Sequence, residues 1–420
     1  MHSYHSSSAL EKRHPFAQIC RMNETIASPP MAAARPSASQ LLPLCAAVFL
    51  GFSSIGLPLP AIPGFVRGTL GYDALVVSIV LAIQSLATLA TRHRSGTLAD
   101  QRGPRRAVLL GLGLSALSGA LYALVALSQA SAALGLGLLL FARVVLGLGE
   151  SLLITGALSW GVGLVGRERA GLVMAWNGIA MYSALALGAP VGAVLFERFG
   201  FLGVSLASMA APLLAFAALP LLRPITPTGG KRLPFHRVAM MIGRPGVALS
   251  LSTLGFGSIA AFGTLLFQHR GWPHAERALL AFGVAYVLAR LLFGHAPDKL
   301  GGRRVALGCL AIELCGQVLL WSATGPWMAI TGAALTGFGF SLVFTSLGVE
   351  AVRLAPPENR GVAMGGYVAF FDVALGGLIP VIGVLVRSVG YPSAYLAGAV
   401  ASATALVLTF GMARPPSAPR

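Results

Sequence analysis

The chain has 420 residues, of which 56% are hydrophobic and only 10% are charged, and its formal net charge is +17. Soluble proteins carry about 25% charged residues, so this chain has too few charges to cover a water-facing surface. A soluble, a disordered and a fibrous protein are therefore excluded, and the composition predicts an all-α protein that crosses a membrane several times.

Twelve stretches are long and apolar enough to cross a bilayer, which takes about 20 mostly apolar residues. We name them spans 1 to 12 in chain order: residues 41–62, 73–91, 106–128, 132–153, 171–195, 201–222, 246–267, 278–296, 304–323, 327–349, 361–385 and 391–412. The sequence thus predicts twelve transmembrane helices.

Lysine and arginine are distributed unequally among the connections between these spans. One alternate set of connections, which includes both tails, holds 23 of them, and the other set holds 5. Because connections rich in positive charge stay in the cytoplasm, we expect both termini to be cytoplasmic. The net charge then reflects membrane topology, so we expect the lipid bilayer and not nucleic acid as a partner.

The first 40 residues are polar and rich in Ser, His and Pro, and they do not form a cleavable signal peptide. Two explanations stay open for this predicted cytoplasmic tail, residues 1–40. It is either disordered or the product of a gene model that begins too early, with the true start at Met22 or Met31.

The longest polar connection inside the chain, residues 223–245, divides it into halves of six spans each, residues 41–222 and 246–412, with a short tail at 413–420. The halves resemble each other. SGTLADQRGPRRAVLLGL in the first half matches FGHAPDKLGGRRVALGCL in the second, and LGLGESL matches TGFGFSL. Two repeated halves are typical of a transporter that works by alternating access.

The loops after spans 2 and 8 carry the same pattern of glycine, aspartate and arginine. Its members are Gly96, Asp100, Gly103, Arg105 and Arg106 in the first loop and Gly294, Asp298, Gly301, Arg303 and Arg304 in the second. The pattern resembles the loop signature of the major facilitator superfamily and departs from it at Gln101, where a basic residue is usual. The resemblance extends over nearly the whole chain from about residue 41 onward.

The residue types of this motif suggest a role at the cytoplasmic ends of the helices. Glycines allow tight turns and close approach of backbones, and an aspartate beside arginines forms charge-assisted pairs. We interpret the motif as a latch that joins the cytoplasmic ends of the halves in one state and releases them in the other. The alternative is ordinary cytoplasmic charge with a helix cap.

Five ionisable side chains lie inside predicted spans, where charges are costly and mark candidate functional sites: Arg143, Glu150, Arg290, Glu313 and Asp372. Arg143 and Glu150 are seven residues apart on span 4, so two helical turns place them on one face. Arg143, Gly147 and Gly149 also resemble a motif of the family's fourth span that is tied to proton coupling. We expect a role in proton coupling or substrate binding; a structural pair is the alternative.

The other three ionisable residues belong to the second half. Arg290 and Glu313 occupy similar depths in the hairpin of spans 8 and 9, and we predict an ion pair between them. Asp372 lies near the middle of span 11 without a basic partner on its own helix. It is a candidate for a proton or substrate site, and a carboxyl group that only bridges helices is the alternative.

Span 5 supplies further candidates. Trp176, Asn177 and Tyr182 line a possible substrate path or simply join helices. Gly188, Pro190 and Gly192 resemble a Gly-Pro motif of the family's antiporter branch, and a proline kink with small-residue packing is the alternative.

The resemblance as a whole implies a poorly characterised bacterial inner-membrane subgroup of sugar- or drug-efflux type. We expect a monomeric, proton-coupled exporter of a small organic molecule, without cofactor or metal. A proton symporter for uptake is the alternative, and a membrane enzyme is a distant one, since the sequence holds no metal-binding or nucleophilic motif.

Overall fold

The structure is a computed structural model, and it describes residues 41–128, 131–166, 169–219, 240–354 and 360–412. Every regular element in these ranges is a helix, which confirms the predicted all-α class. Ten helices are long and apolar enough to cross a membrane. The predicted tails, residues 1–40 and 413–420, and most of the predicted linker lie outside the described residues.

Each predicted span corresponds to a helix or to part of one, and the helices of spans 2 and 4 extend well beyond their predicted ends. In the first half, span 1 comprises Leu42–Gly56, Ala61–Gly64 and a wide helical turn, Phe65–Thr69, spans 2 to 4 are Ala74–Arg102, Pro104–Leu127 and Ala132–Val165, and spans 5 and 6 form the continuous run Ala170–Ala218. In the second half, spans 7 and 8 are Gly243–Arg270 and Glu276–Phe293, and a short helix, Ala296–Leu300, follows them. Spans 9 and 10 are Gly302–Trp321 and Pro326–Leu354, span 11 comprises Arg360–Val373, Ala374–Leu378 and Ile379–Val389, and span 12 is Pro392–Phe410.

Ten candidate helices are consistent with twelve spans. The run Ala170–Ala218 contains two predicted spans, and its backbone leaves the helical conformation at Gly200, where φ is 64°. Glycine adopts a positive φ at little cost, so the chain kinks there between spans 5 and 6. Span 8, Glu276–Phe293, is not among the ten, because it carries three charged residues in 18.

The helix of span 2 is longer than predicted, and the difference matters for function. The sequence predicts a span that ends at residue 91 and a loop that holds the arginines after it. The helix continues to Arg102, so Arg92 lies inside it. The loop proper is reduced to Gly103, which separates span 2 from span 3.

The two copies of the repeated loop motif make the same turn. Gly103 has φ 91° and ψ 145°, and Gly301 has φ 88° and ψ 137°. Each glycine immediately precedes the next helix, and residues with a side chain avoid this conformation. We call the end of the bundle that holds these turns the Gly103 end, and the opposite end, which holds Gly71 and Gly390, the Gly71 end.

Spans 1–6 pack mainly on one another, and so do spans 7–12. Two seams join these sets: span 5 packs against span 8, and span 2 packs against span 11. Along the second seam a Cβ atom added at Gly383 would clash with Ser78, and one added at Gly376 would clash with Leu86. The absence of side chains at these glycines lets the two helices approach closely.

Two adjacent glycines of span 11 offer a test of this seam. A Cβ at Gly376 would lie 2.7 Å from Leu86 Cδ2 and 3.0 Å from its backbone nitrogen, whereas a Cβ at Gly377 meets nothing within 4 Å. We expect Gly376→Ala to lower the free energy of unfolding by about 1–3 kcal/mol through overpacking. Gly377→Ala is the matched control and should be neutral or stabilising, because alanine favours the helix. Unfolding of both purified variants measures the difference, and equal effects would contradict the close packing.

Candidate functional site

A cavity lies between the two sets of spans. Spans 1, 2, 4 and 5 line it on one side and spans 7 and 11 on the other. Its walls are mostly apolar, and their polar side chains are Gln84, Ser85, Arg143, Glu150 and Tyr182. A mostly apolar cavity with a few placed polar groups is the usual form of a small-molecule site.

Arg143 and Glu150 both line this cavity, so the structure places them on one face of span 4 as the sequence predicts. They do not form a salt bridge with each other. The guanidinium of Arg143 donates from Nε to the carbonyl of Val80 (3.1 Å) and from Nη2 to that of Leu81 (3.4 Å). Its Nη1 is buried without a hydrogen-bond partner. Arg143, which lines the cavity, therefore keeps one unsatisfied donor.

The carboxylate of Glu150 is held by neutral side chains of span 2. Gln84 Nε2 donates to its Oε2 at 2.6 Å and Thr88 Oγ1 at 3.2 Å. Gln84 Oε1 is buried and lacks a partner. Because neither hydrogen-bond partner is charged, Glu150 can gain or lose a proton without breaking an ion pair.

Asp372 has a partner that the sequence did not reveal. Arg92 of span 2 donates to Asp372 Oδ2 from Nε at 2.8 Å and also from Nη2. Both side chains are largely buried, with 11% of Arg92 and 3% of Asp372 exposed. The pair joins span 2 to span 11 across the seam between the two sets.

The predicted ion pair between Arg290 and Glu313 is wrong: no salt bridge joins these two described residues. Arg290 turns toward span 10, where its Nη2 donates to the carbonyl of Ser341 (2.9 Å). Glu313 turns toward spans 7 and 12, where it accepts hydrogen bonds from the hydroxyls of Ser252 (2.6 Å) and Ser402 (3.3 Å). A shared depth in a helical hairpin does not determine which face of the helix carries a side chain.

This correction leads to a quantitative expectation. Arg290 and Glu313 share no hydrogen-bond partner, so the effects of Arg290→Ala and Glu313→Ala on the free energy of unfolding should add to within about 0.5 kcal/mol in the double variant. Unfolding of the four proteins under one set of conditions measures the coupling. If the double variant were more stable than Glu313→Ala alone, the two side chains would be coupled, and the predicted ion pair would be supported after all.

The three candidates of span 5 separate in the structure. Tyr182 lines the cavity and stacks on Tyr286 of span 8, with 3.8 Å between ring centroids. Trp176 is partly buried against the apolar core of the first spans. Asn177 is buried, and its Nδ2 has no partner. Of the three, only Tyr182 is part of the cavity lining described above.

The small residues of span 5 pack against span 1. A Cβ at Gly188 would lie 2.7 Å from the carbonyl carbon of Gly56, and one at Gly192 would lie 1.9 Å from the carbonyl oxygen of Leu57. Pro190 stands between them inside the helix. These contacts agree with the packing alternative, and the antiporter role of the motif stays a prediction.

The second copy of the loop motif makes contacts at the Gly103 end. Arg303 donates from Nε to the carbonyl of Thr409 (3.2 Å) and from its backbone nitrogen to Glu350 Oε1 (3.2 Å). These contacts connect spans 9, 10 and 12. Arg304 is exposed, Gly294 ends the helix of span 8, and the side chain of Asp298 lies outside the described part of the chain.

In the first copy, Gly96 is buried inside the helix of span 2, and Asp100 lies near the end of that helix. Arg105 and Arg106 occupy the first turn of span 3, and Arg106 is exposed. The latch role of both copies stays a prediction.

Two contacts join the sets at the Gly71 end. Arg67 Nη1 donates to the hydroxyl of Tyr391, and Arg387 Nε lies 3.4 Å from Asp73 Oδ2. The first contact connects the end of span 1 with the start of span 12, and the second connects the start of span 2 with the end of span 11. Both ion-pair partners of the second contact are exposed.

Sequence reasoning missed several residues of these networks, among them Gln84, Thr88, Arg92 and Glu350. Gln84 and Thr88 are polar residues four positions apart in an apolar helix, a spacing that places both on one face. That spacing was the available signal for a polar site on span 2.

Comparisons with known proteins agree with this architecture. The family model of the Major Facilitator Superfamily matches residues 44–280 and 246–420. An uncharacterized MFS-type transporter of Pseudomonas aeruginosa is 43% identical over 376 residues, which cover 89% of this chain and 93% of the relative. One of Burkholderia pseudomallei is 42% identical over 372 residues, which cover 88% and 91%.

Solved structures match over a similar length. The nucleoside transporter NupG superposes with a TM-score of 0.69 at 14% identity and covers 88% of this chain and 99% of its own. The human organic anion transporter MFSD10 gives a TM-score of 0.64 at 17% identity and covers 88% and 98%. At sequence identities of 14% and 17%, the similarity to these two structures shows a shared fold only.

Proposed function

The chain belongs to the major facilitator superfamily, and we propose that it exports a small organic molecule across a bacterial inner membrane in exchange for protons. Members of this family are multi-pass membrane transporters, so the lipid bilayer and a small-molecule substrate are its partners. The direction of transport, the coupling ion and the class of substrate are the proposal.

The observation that carries the proposal is the cavity between the two sets of spans, because it contains both a guanidinium and a carboxylate. Alternating access requires a site whose walls belong to two bodies that rock against each other. We assign those bodies to residues 41–222 and 246–412, joined by the linker 223–245. The cavity has walls from both, so rocking would open it to one side of the membrane at a time.

The charges of the cavity support proton coupling. Glu150 is held by uncharged donors and is the proposed proton carrier, whereas Arg143 offers its unpartnered Nη1 to the substrate. The Arg92–Asp372 pair lies on the seam that rocking must open. We propose that it forms and breaks in each cycle.

The remaining assignments concern the ends of the bundle. We propose that the Gly103 end and both termini face the cytoplasm, as the distribution of Lys and Arg indicates. There Asp100 and Asp298, with their arginines, latch the two halves. We propose a monomer as the working unit.

The first experiment identifies the substrate and the direction together. Untargeted mass spectrometry compares medium and cytoplasm of cells that express the wild type with those of cells that express Asp100→Asn at equal membrane levels. We expect a compound enriched in the medium only with the wild type. Enrichment inside the cells would favour the uptake symporter, and a chemically converted compound would favour the membrane enzyme. No difference between the strains would contradict the proposed role of Asp100 in transport.

A further inference from the structure

We propose that Glu313 is a second proton-binding site, separate from the cavity, whose carboxyl group keeps a bound proton while it joins spans 7, 9 and 12. The inference concerns a buried acid that the proposed transport mechanism does not use, and it does not depend on transport. Its starting point is the complete burial of a carboxyl group among uncharged neighbours.

The surroundings of Glu313 offer hydrogen bonds but no opposite charge. Its side chain is 0% exposed, and among the described residues no Lys, Arg or His nitrogen lies within 4 Å of its oxygens. Arg290, the buried guanidinium of the same half, is held instead by the hydroxyl of Tyr286 and the carbonyl of Ser341. An ionised carboxyl group without a partner is very costly in a medium of low dielectric constant, and such a group usually binds a proton instead.

Glycine on two neighbouring helices makes the room for this side chain. A Cβ atom added at Gly255 of span 7 would lie 2.9 Å from Glu313 Oε1, and one added at Gly339 of span 10 would lie 3.0 Å from Glu313 Cβ. In the described part of the chain, the titratable side chain beside Glu313 is Cys309, one turn earlier on span 9, and a thiol is mostly uncharged at neutral pH. The carboxyl group therefore lies among neutral groups of spans 7, 9, 10 and 12.

The two hydrogen-bond partners of Glu313 suit a protonated carboxyl group. The hydroxyl oxygen of Ser252 lies 2.6 Å from Oε2, and that of Ser402 lies 3.3 Å from Oε1. A carboxylate has about four acceptor sites and cannot donate, so two hydroxyl donors leave it undersupplied. A protonated carboxyl group donates one hydrogen bond, and a hydroxyl both donates and accepts. Oε2 can then donate to Ser252 while Ser402 donates to Oε1, so the proton completes the link between the three helices.

The first half of the chain shows that this packing position does not require an acid. The alignment of the two loop motifs places Ser115 of span 3 opposite Glu313. Ser115 is buried, and its hydroxyl donates to the carbonyl of Gly111 in the same helix. A Cβ atom at Gly149 of span 4 would lie 3.0 Å from Ser115 Oγ, so each of the two positions packs against a glycine of the following helix. At this position the carboxyl group is a property of the second half alone.

The bound proton affects the wall of the cavity through span 7. Ser252 lies one turn before Phe256, which lines the cavity, so the link to Glu313 holds that part of span 7 against spans 9 and 12. Release of the proton would leave a buried negative charge at this link. The packing of span 7 should therefore weaken at alkaline pH, whereas the coupling proton proposed for Glu150 binds at the cavity itself.

Infrared spectra of purified full-length protein in lipid nanodiscs test the bound proton directly. A protonated carboxyl group has a C=O stretching band that a carboxylate lacks, so the difference between the wild type and Glu313→Gln at neutral pH should contain that band. Glu197→Gln, which removes an exposed glutamate before Gly200, is the control and should leave the band unchanged. A difference spectrum for Glu313→Gln that shows the loss of a carboxylate band instead would overturn the proposal.

The pH dependence of unfolding is a second test, and its sign follows from the proton. A glutamate of the unfolded chain releases its proton above about pH 4–5, whereas the folded protein keeps it, so rising pH favours unfolding until the folded protein releases it too. In that interval the folding equilibrium constant of the wild type should fall about tenfold more per pH unit than that of Glu313→Gln.

Glutamine replaces the protonated carboxyl group with a neutral donor and acceptor of similar shape, so Glu313→Gln should be at least as stable as the wild type at neutral pH. Equal pH dependence of the two proteins, or a Glu313→Gln variant that is less stable or does not fold, would contradict a bound proton.

Transport distinguishes this proton from the one proposed for coupling. Glu313→Gln should retain transport driven by a pH gradient, which Glu150→Gln should lose. Loss of that transport in Glu313→Gln would mean that its proton moves in each cycle, and would overturn a proton that stays bound. If the wild type transported nothing, the proposed function would fail, and the infrared and unfolding experiments would still decide this inference.

Discussion

Asp372→Ala is expected to abolish transport and to lower the free energy of unfolding by about 3–5 kcal/mol, the usual effect of leaving one partner of a buried ion pair alone. The substitution leaves the guanidinium of Arg92 inside the protein, where only 11% of the side chain is exposed. It also removes a direct contact between spans 2 and 11. Unfolding of the purified variant and transport in vesicles measure the two effects separately.

The double variant Arg92→Ala, Asp372→Ala distinguishes the ion pair from a general loss of packing. It removes both charges and should be more stable than Asp372→Ala alone, although transport stays low. Arg387→Ala is the matched control, because Arg387 pairs with Asp73 at an exposed position, and exposed pairs contribute about 1 kcal/mol or less. Equal losses in the single and double variants would contradict a paired Asp372.

Glu150→Gln is expected to eliminate transport driven by a pH gradient while substrate exchange without a gradient continues. Glutamine retains an oxygen that can accept the hydrogen bond from Gln84 Nε2, now 2.6 Å from the Glu150 carboxylate, but it cannot bind and release a proton. The free energy of unfolding should change by less than about 1.5 kcal/mol, the size of one ordinary hydrogen bond. Vesicles with an imposed pH gradient, and the same vesicles in an exchange assay, give the two rates.

Ser85→Ala provides the matched control for that experiment, because Ser85 lines the same cavity and carries no charge. It should leave both rates close to those of the wild type. If Glu150→Gln still accumulated substrate against a gradient, the proton would be carried elsewhere. If Ser85→Ala lost transport as well, the cavity would be sensitive to any change, and the role of Glu150 would not be specific.

The sequence predicted the helices well, because a helix that crosses a bilayer requires a long apolar stretch and charged residues interrupt such stretches. It also predicted that the loops after spans 2 and 8 correspond, and Gly103 and Gly301 do adopt the same backbone conformation. Spans 5 and 6 were separated correctly at Gly200, although the helix is otherwise continuous there.

The partners of the buried charges were harder to predict. Arg92 is followed by a histidine and another arginine, so composition assigned it to a loop, and its acidic partner lies 280 positions away. Arg290 and Glu313 were assigned the same depth, yet they face different helices. Hydrophobic length determines the depth of a residue in the membrane, whereas the direction of its side chain around the helix depends on neighbours that lie far away in the sequence.

The seam between spans 2 and 11 combines two kinds of attraction with different ranges. Contacts at Gly383 and Gly376 rely on close approach of atoms, and a gap of about an ångström already removes up to about half of the dispersion attraction. The attraction between Arg92 and Asp372 falls only with the inverse of their separation. If the two helices part as the proposed cycle requires, the ion pair would still draw them together after the glycine contacts have gone. Its charges would then act as an electrostatic tether that speeds reclosure and restores the same register in every cycle.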